Sequence, residues 1–113
     1  MAEPTVSLGL LVDSLRSALE AAGFEDAGSS ISGTFHWARF RRQETRAGER
    51  MVRLLTLSHA PEDQAFVAYA DLVARRTYTT TPAGKEMRHY GSAAEAEAVV
   101  GELAAAVRGW VGA

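Results

Sequence analysis

Apolar residues recur at spacings of three and four at both ends of this chain and alternate with polar ones through its middle. From residue 5 to about 22, Leu8, Leu11, Leu15, Ala18, Leu19 and Ala22 fall on one stripe, which predicts an amphipathic helix. Thr5 or Ser7 is placed to cap its start, and Gly23 stands where a left-handed C-terminal cap is wanted. Phe24, just past that glycine, is expected to fold back on the last turn. A second helix is predicted over 92–111, opened by the capping box Ser92-Ala-Ala-Glu95. Its stripe is Ala96, Val99, Val100, Leu103, Val107, Trp110 and Val111. Gly101 and Gly109 weaken it slightly but, with the many Ala, permit close approach to another layer.

Between the helices the period falls to two. From Thr34 to about Arg42, Phe35, Trp37, Arg39 and Arg41 share one face of a strand, and His36, Ala38, Phe40 and Arg42 share the other. Residues 44–49 are polar and contain Gly48, as a hairpin loop would. The next strand, about 50–58, sets Val52, Leu54 and Thr56 against Met51, Arg53, Leu55 and Leu57. Apolar residues on both of its faces predict a central position.

Residues 61–76 admit two readings. As a helix, Pro61 would take the first position, with Glu62 and Asp63 at the positive end of the dipole and Arg75 and Arg76 at the negative end. As a strand, residues 61–64 form a turn, Phe66, Ala68, Ala70 and Leu72 line one face, and Val67, Tyr69, Asp71 and Val73 line the other. The strand is preferred, because no side-chain cap precedes Pro61 and the small Ala face leaves room for a helix to dock. Residues 77–81 are also strand-like, so a bend is expected near 74–76. Pro82-Ala-Gly84 then predicts a type I turn, making 77–81 and 85–90 a second hairpin. Residues 25–32 carry Gly and Ser with no usable pattern and are expected to be a loop. The fold class that results is α+β: an antiparallel sheet of about four strands in the order α-β-β-β-β-α. Both helices are expected on one face, because a half-polar sheet offers a single apolar side.

Composition narrows the class. With 113 residues, 47% apolar and 23% charged, residues 1–113 are expected to form a single domain with its own core. A net charge of −2 gives no global pull toward nucleic acid or anionic membrane, so any such attraction must be local. The chain has no Cys, which removes disulfides and thiol nucleophiles. The start is acidic, and the apolar run from Leu8 is soon interrupted by Asp13 and Arg16. Neither export nor a membrane span is predicted, and the expected compartment is the cytoplasm.

The chemistry-bearing residues are few. Arg39, Arg41, Arg42, Arg46, Arg50 and Arg53 fall within fifteen residues, against Glu44 and Glu49. If Phe35, Trp37, Arg39, Arg41 and Arg53 share an exposed face, that face combines cations with stacking groups. The competing reading makes Phe35 and Trp37 core and the arginines a solvated edge that discourages strand-to-strand aggregation. His36, His59 and His89 show no metal-ligand spacing, and no metal site or cofactor is predicted. Ser58 and His59 are neighbours on a strand and point to opposite faces, and no nucleophile elbow or phosphate loop is present. Asp71 is the one acid inside an apolar run; it could serve as a general acid or base, but a place in solvent or a pair with Arg39 or Arg53 across the sheet is preferred.

These features point away from catalysis and toward recognition. The expected function is a small protein-binding module: an adaptor, an immunity-type inhibitor or a chaperone-like partner. It would bind another protein, or a second copy of itself, through Trp37, Arg39, Arg41, Arg53 and Tyr69, residue types that dominate interface energetics. The alternative is a module that binds single-stranded nucleic acid on the same face. No membrane partner is expected.

Overall fold

The computed structural model describes residues 6–31 and 33–111. Helix α1 spans Leu8–Ala21, strands β1 to β5 span Glu25–Ser30, His36–Arg46, Glu49–Ala60, Ala65–Ala74 and Thr80–His89, and helix α2 spans Ala93–Val111. The five strands form one antiparallel sheet in sequence order. Both helices pack side by side on one face of it, α1 over β2 and β3, α2 over β4 and β5.

The helix termini follow the sequence closely. Gly23 takes φ +84, and the N–H groups of Gly23 and Phe24 donate to Glu20 O and Leu19 O. That pair of bonds closes α1 and turns Phe24 into the core at 7% exposure. At α2 the Glu95 N–H donates to Ser92 Oγ, and the Glu95 carboxylate accepts from the Gly91 N–H. Ser7 is the N-terminal cap residue of α1 but makes no side-chain cap bond; Thr5 lies outside the described residues.

The sheet departs from expectation in two places, at residues 25–30 and at the second hairpin, and follows the preferred reading of 61–76. Residues 25–30 are a strand, bringing the sheet to five, because they pair with β2 through a bulge between Asp26 and Ser29. Residues 61–64 form the turn and 65–74 a strand, so the helix reading of 61–76 does not hold. The second hairpin turn lies at residues 75–79 rather than at Pro82. There Tyr78 takes φ +56 and its N–H donates to Ala74 O. β5 runs through Pro82 with a register shift opposite Ala70 and Asp71. A proline is tolerated there because β5 is an edge strand with one unpaired side.

Register decides the two faces. Ala38, Phe40, Leu55, Leu57, Phe66, Ala68 and Ala70 face the helices and form the core with Leu11, Leu15, Leu19, Leu103 and Val107. Leu55, Leu57, Phe66 and Ala68 are 0% exposed. Trp37, Arg39, Leu54, Thr56, Val67, Tyr69 and Asp71 point to the other side, which no helix among the described residues covers. Among the described residues no helix is long and apolar enough to cross a membrane.

Candidate functional site on the helix-free face

Strand pairing arranges the uncovered face in rows. One row reads Trp37–Ser58–Val67–Met87, the next Arg39–Thr56–Tyr69–Lys85, and the next Arg41–Leu54–Asp71–Pro82. Val52 and Val73 extend it toward the hairpin tips. The Arg39 guanidinium lies 5.4 Å from the Trp37 ring centroid, and its Nε donates to Thr56 Oγ1 at 3.3 Å. Thr56 and Ser58 are buried beneath these larger neighbours even though they face away from the core. Phe35 and Met87 are about half exposed at 47% and 52%. An open depression of about 430 Å³ runs between Phe35, Val67, Tyr69, Asp71 and Lys85. Asp71 is half-buried and makes no hydrogen bond or ion pair among the described residues, so of its two expected places the pair with Arg39 or Arg53 does not form.

The five residues expected at the site divide. Trp37, Arg39 and Tyr69 lie together on the helix-free face, within two adjacent rows. Arg41 shares that face one row further on, with its Nε donating to Glu25 Oε1 of β1 at 2.9 Å. Arg53 does not belong with them. It faces the helices, is 6% exposed, and pairs with Glu44 at 2.5 Å. Sequence reading left out Leu54, Val67, Lys85 and Met87, which complete the face. The alternation was the available signal: it had already set Leu54 with Thr56 and tied Arg53 to Leu55 and Leu57.

Behind the sheet, Glu44 collects three guanidiniums. Its carboxylate accepts from Arg53, Arg42 and Arg46, and the side chain is 12% exposed. Arg42 also donates to Ala22 O at 3.0 Å and Val111 O at 3.1 Å, placing its charge at the negative ends of both helices. Its guanidinium covers the Phe24 ring at 4.7 Å. The hydrogen bond from Arg53, helped by Arg42, overcomes the opposing effect of burial and holds the Glu44 carboxyl down to about 2.

At the opposite end of the sheet a second polar group is buried. His59, 1% exposed, stacks on Phe66 with ring centroids 4.5 Å apart. Its Nε2 shares a hydrogen bond of 2.7 Å with the Tyr90 hydroxyl, the donor being set by the tautomer. His36 is the cross-strand neighbour of His59, with ring centroids 6.2 Å apart. Burial first, and the charge of His36 second, push the His59 pKa down. The described residues contain no cluster of three or more potential metal ligands.

Both groups make the fold sensitive to acid. The folded pKa of His59 lies below its ordinary 6.5, so its contribution is complete above that pH. The contribution is lost as pH falls through the lowered value, because the unfolded chain then binds the extra proton. Glu44 follows, losing its contribution between its ordinary 4.5 and about 2. The expected result is a melting temperature flat from pH 8 to about 6.5 that then declines, and more steeply below about 4.5. A melting temperature constant from pH 7 to 4 would contradict a neutral, buried His59.

Comparison of the chain with protein-family models, curated proteins and solved structures finds no match. The functional reading therefore rests on the geometry of the chain itself.

Proposed function

We propose that the chain is a small, non-enzymatic, cytoplasmic protein-binding module that receives its partner on the helix-free face of the sheet. As such it would serve as an adaptor, an immunity-type inhibitor or a chaperone-like partner. The observation that carries the reading is a whole sheet face left uncovered by helices. On it Trp37, Leu54, Val67, Tyr69, Phe35 and Met87 are at least partly open to solvent beside Arg39 and Arg41. Apolar side chains open to solvent together on one face and rimmed by charge mark interaction surfaces. Trp37 and Arg39 are already in contact, so little side-chain freedom remains to be lost on docking.

The same cation and aromatic pair gives single-stranded nucleic acid a second reading. Unpaired Asp71 within the face and Glu25 on Arg41 both oppose a phosphate backbone. The two readings respond differently to salt. Nucleic-acid affinity falls steeply as salt rises, with one counterion released per neutralised phosphate.

The test is the double variant Arg39→Gln/Arg41→Gln beside Tyr69→Ala. Arg39 and Arg41 lie at the surface, where such changes shift stability by about 0.5 kcal/mol. Melting curves close to wild type, with loss of the proteins retained on immobilised wild-type chain, are the expected results. An unchanged set of retained proteins in both variants would defeat the proposal.

A further inference from the structure

We infer that the occupant of the helix-free face is a second copy of this chain, stacked sheet to sheet about a two-fold axis that runs along β3. The inference rests on the docking reading above and names the partner for it. The rows carry the reasoning. Rotation about an axis along β3 lays β2 of one copy over β4 of the other and leaves each residue in its own row. Arg41 then faces Asp71 of the second copy, and Arg39 faces its Tyr69 as a cation over a ring. Trp37 covers Val67, and Leu54 meets Leu54 on the axis. Each contact occurs twice, as two-fold symmetry requires.

Three observations favour this arrangement. Asp71 is half-buried and has no partner in its own chain among the described residues, whereas the rotation supplies a guanidinium. The Arg41–Glu25 pair is exposed on both sides, at 50% and 62%, so Arg41 can turn to a new acid at little cost. The alternative in-plane axis, across the strands, would lay β2 over β2 and set Arg39 against Arg41. Size also agrees. Central strands of ten to twelve residues in a five-stranded sheet give a face of roughly 700–800 Å², at about 3.3 Å per residue and about 4.8 Å between strands. That is close to the ~800 Å² per partner of a standard-size stable interface.

The test measures molecular mass in solution over a concentration series, with each variant first shown to fold by its melting curve. Wild type is expected at twice the chain mass. Asp71→Arg sets arginine against Arg41, and Arg41→Asp sets carboxylate against Asp71. Each should weaken the dimer on the order of a hundredfold, and the exchange Arg41→Asp/Asp71→Arg should restore it. Because the chain has no Cys, Leu54→Cys is a clean reporter. It should oxidise to a covalent dimer, while Thr80→Cys at the rim of the same face should not.

A wild type of single mass at every concentration overturns the inference. So does a dimer that survives both single charge reversals, or a Thr80→Cys crosslink that outpaces Leu54→Cys. The two proposals fail separately. A monomer that still captures another protein, with capture lost in Tyr69→Ala, removes self-pairing and keeps the docking face. A monomer whose captures ignore every face variant removes both.

Discussion

Replacing Glu44 by Gln is expected to destabilise the fold by roughly 3–5 kcal/mol, the cost of leaving a buried guanidinium without its counter-charge. Gln keeps the length and one acceptor oxygen, so the change isolates charge from packing. Arg53 is only 6% exposed, so little bulk water reaches it in compensation. Arg42, which bonds the last carbonyls of both helices, would lose the carboxylate that orients it. The depression of the Glu44 carboxyl from 4.5 to about 2 corresponds to roughly 3 kcal/mol of preference for the charged form, which agrees in size. The check is the denaturant midpoint of Glu44→Gln at neutral pH, measured beside Arg39→Gln. A midpoint equal to that of Arg39→Gln would mean that the network is solvated. An apolar replacement of both partners, Glu44→Met/Arg53→Met, is expected to be milder than the single change, because Arg53, the most buried of the three guanidiniums, is then removed together with its counter-charge.

The same network shows where sequence reading of the face stopped. Residues 44–49 look like a loop because all but Ala47 are polar or Gly. The real turn is only Ala47 and Gly48, at φ +51 and +79, and Arg46 pairs directly with Glu49. Two residues with positive φ suit the right-handed twist of a tight hairpin, so both strands continue to its tip. Glu44 thereby becomes a strand residue on the side of Arg42, diagonal to Arg53. With Glu44 read as loop, the buried acid is invisible and Arg53 has no reason to point inward. Changing Arg39, Arg41 and Arg53 together would therefore mix two effects, near-neutral at the first two positions and large at the third.

The helices and central strands were legible because burial imposes a period on them. Leu8, Leu11, Leu15 and Leu19 are buried along one stripe of α1, and the alternation of β2 and β3 matches the observed faces. β1 was not legible, since exposed Glu25, Asp26 and Ser29 carry no apolar alternation. Backbone pairing to β2 holds that edge, and backbone pairing leaves no mark in side-chain polarity. The β4–β5 turn was misplaced for the opposite reason. Pro82 and Gly84 are strong turn signals, yet the chain turns at 75–79, a segment without Gly or Pro. Gly84 is there for a contact across layers that sequence spacing does not reveal.

That contact sets the last large effect. Gly84 faces the helices opposite Ala70, with φ +152, and a Cβ built there would lie 2.7 Å from two ring atoms of Trp110 on α2. The missing side chain is the space into which the indole packs, joining the end of α2 to the edge strand. Gly84→Ala meets two obstacles. An L-residue in this region of φ costs on the order of 1–3 kcal/mol, and the overlap forces the ring outward at roughly 1–3 kcal/mol more. A destabilisation of roughly 2–6 kcal/mol is expected, read from the shift of the denaturant midpoint. The two obstacles separate in a double-mutant cycle. With Trp110→Leu the overlap is relieved and only the backbone term remains, so Gly84→Ala should cost about 1–3 kcal/mol less in that background than in the wild type. Equal costs in both backgrounds would show that the ring does not fill the space above Gly84. The attachment of α2 to the edge strand would then have to come from Ala83 and Val107 instead.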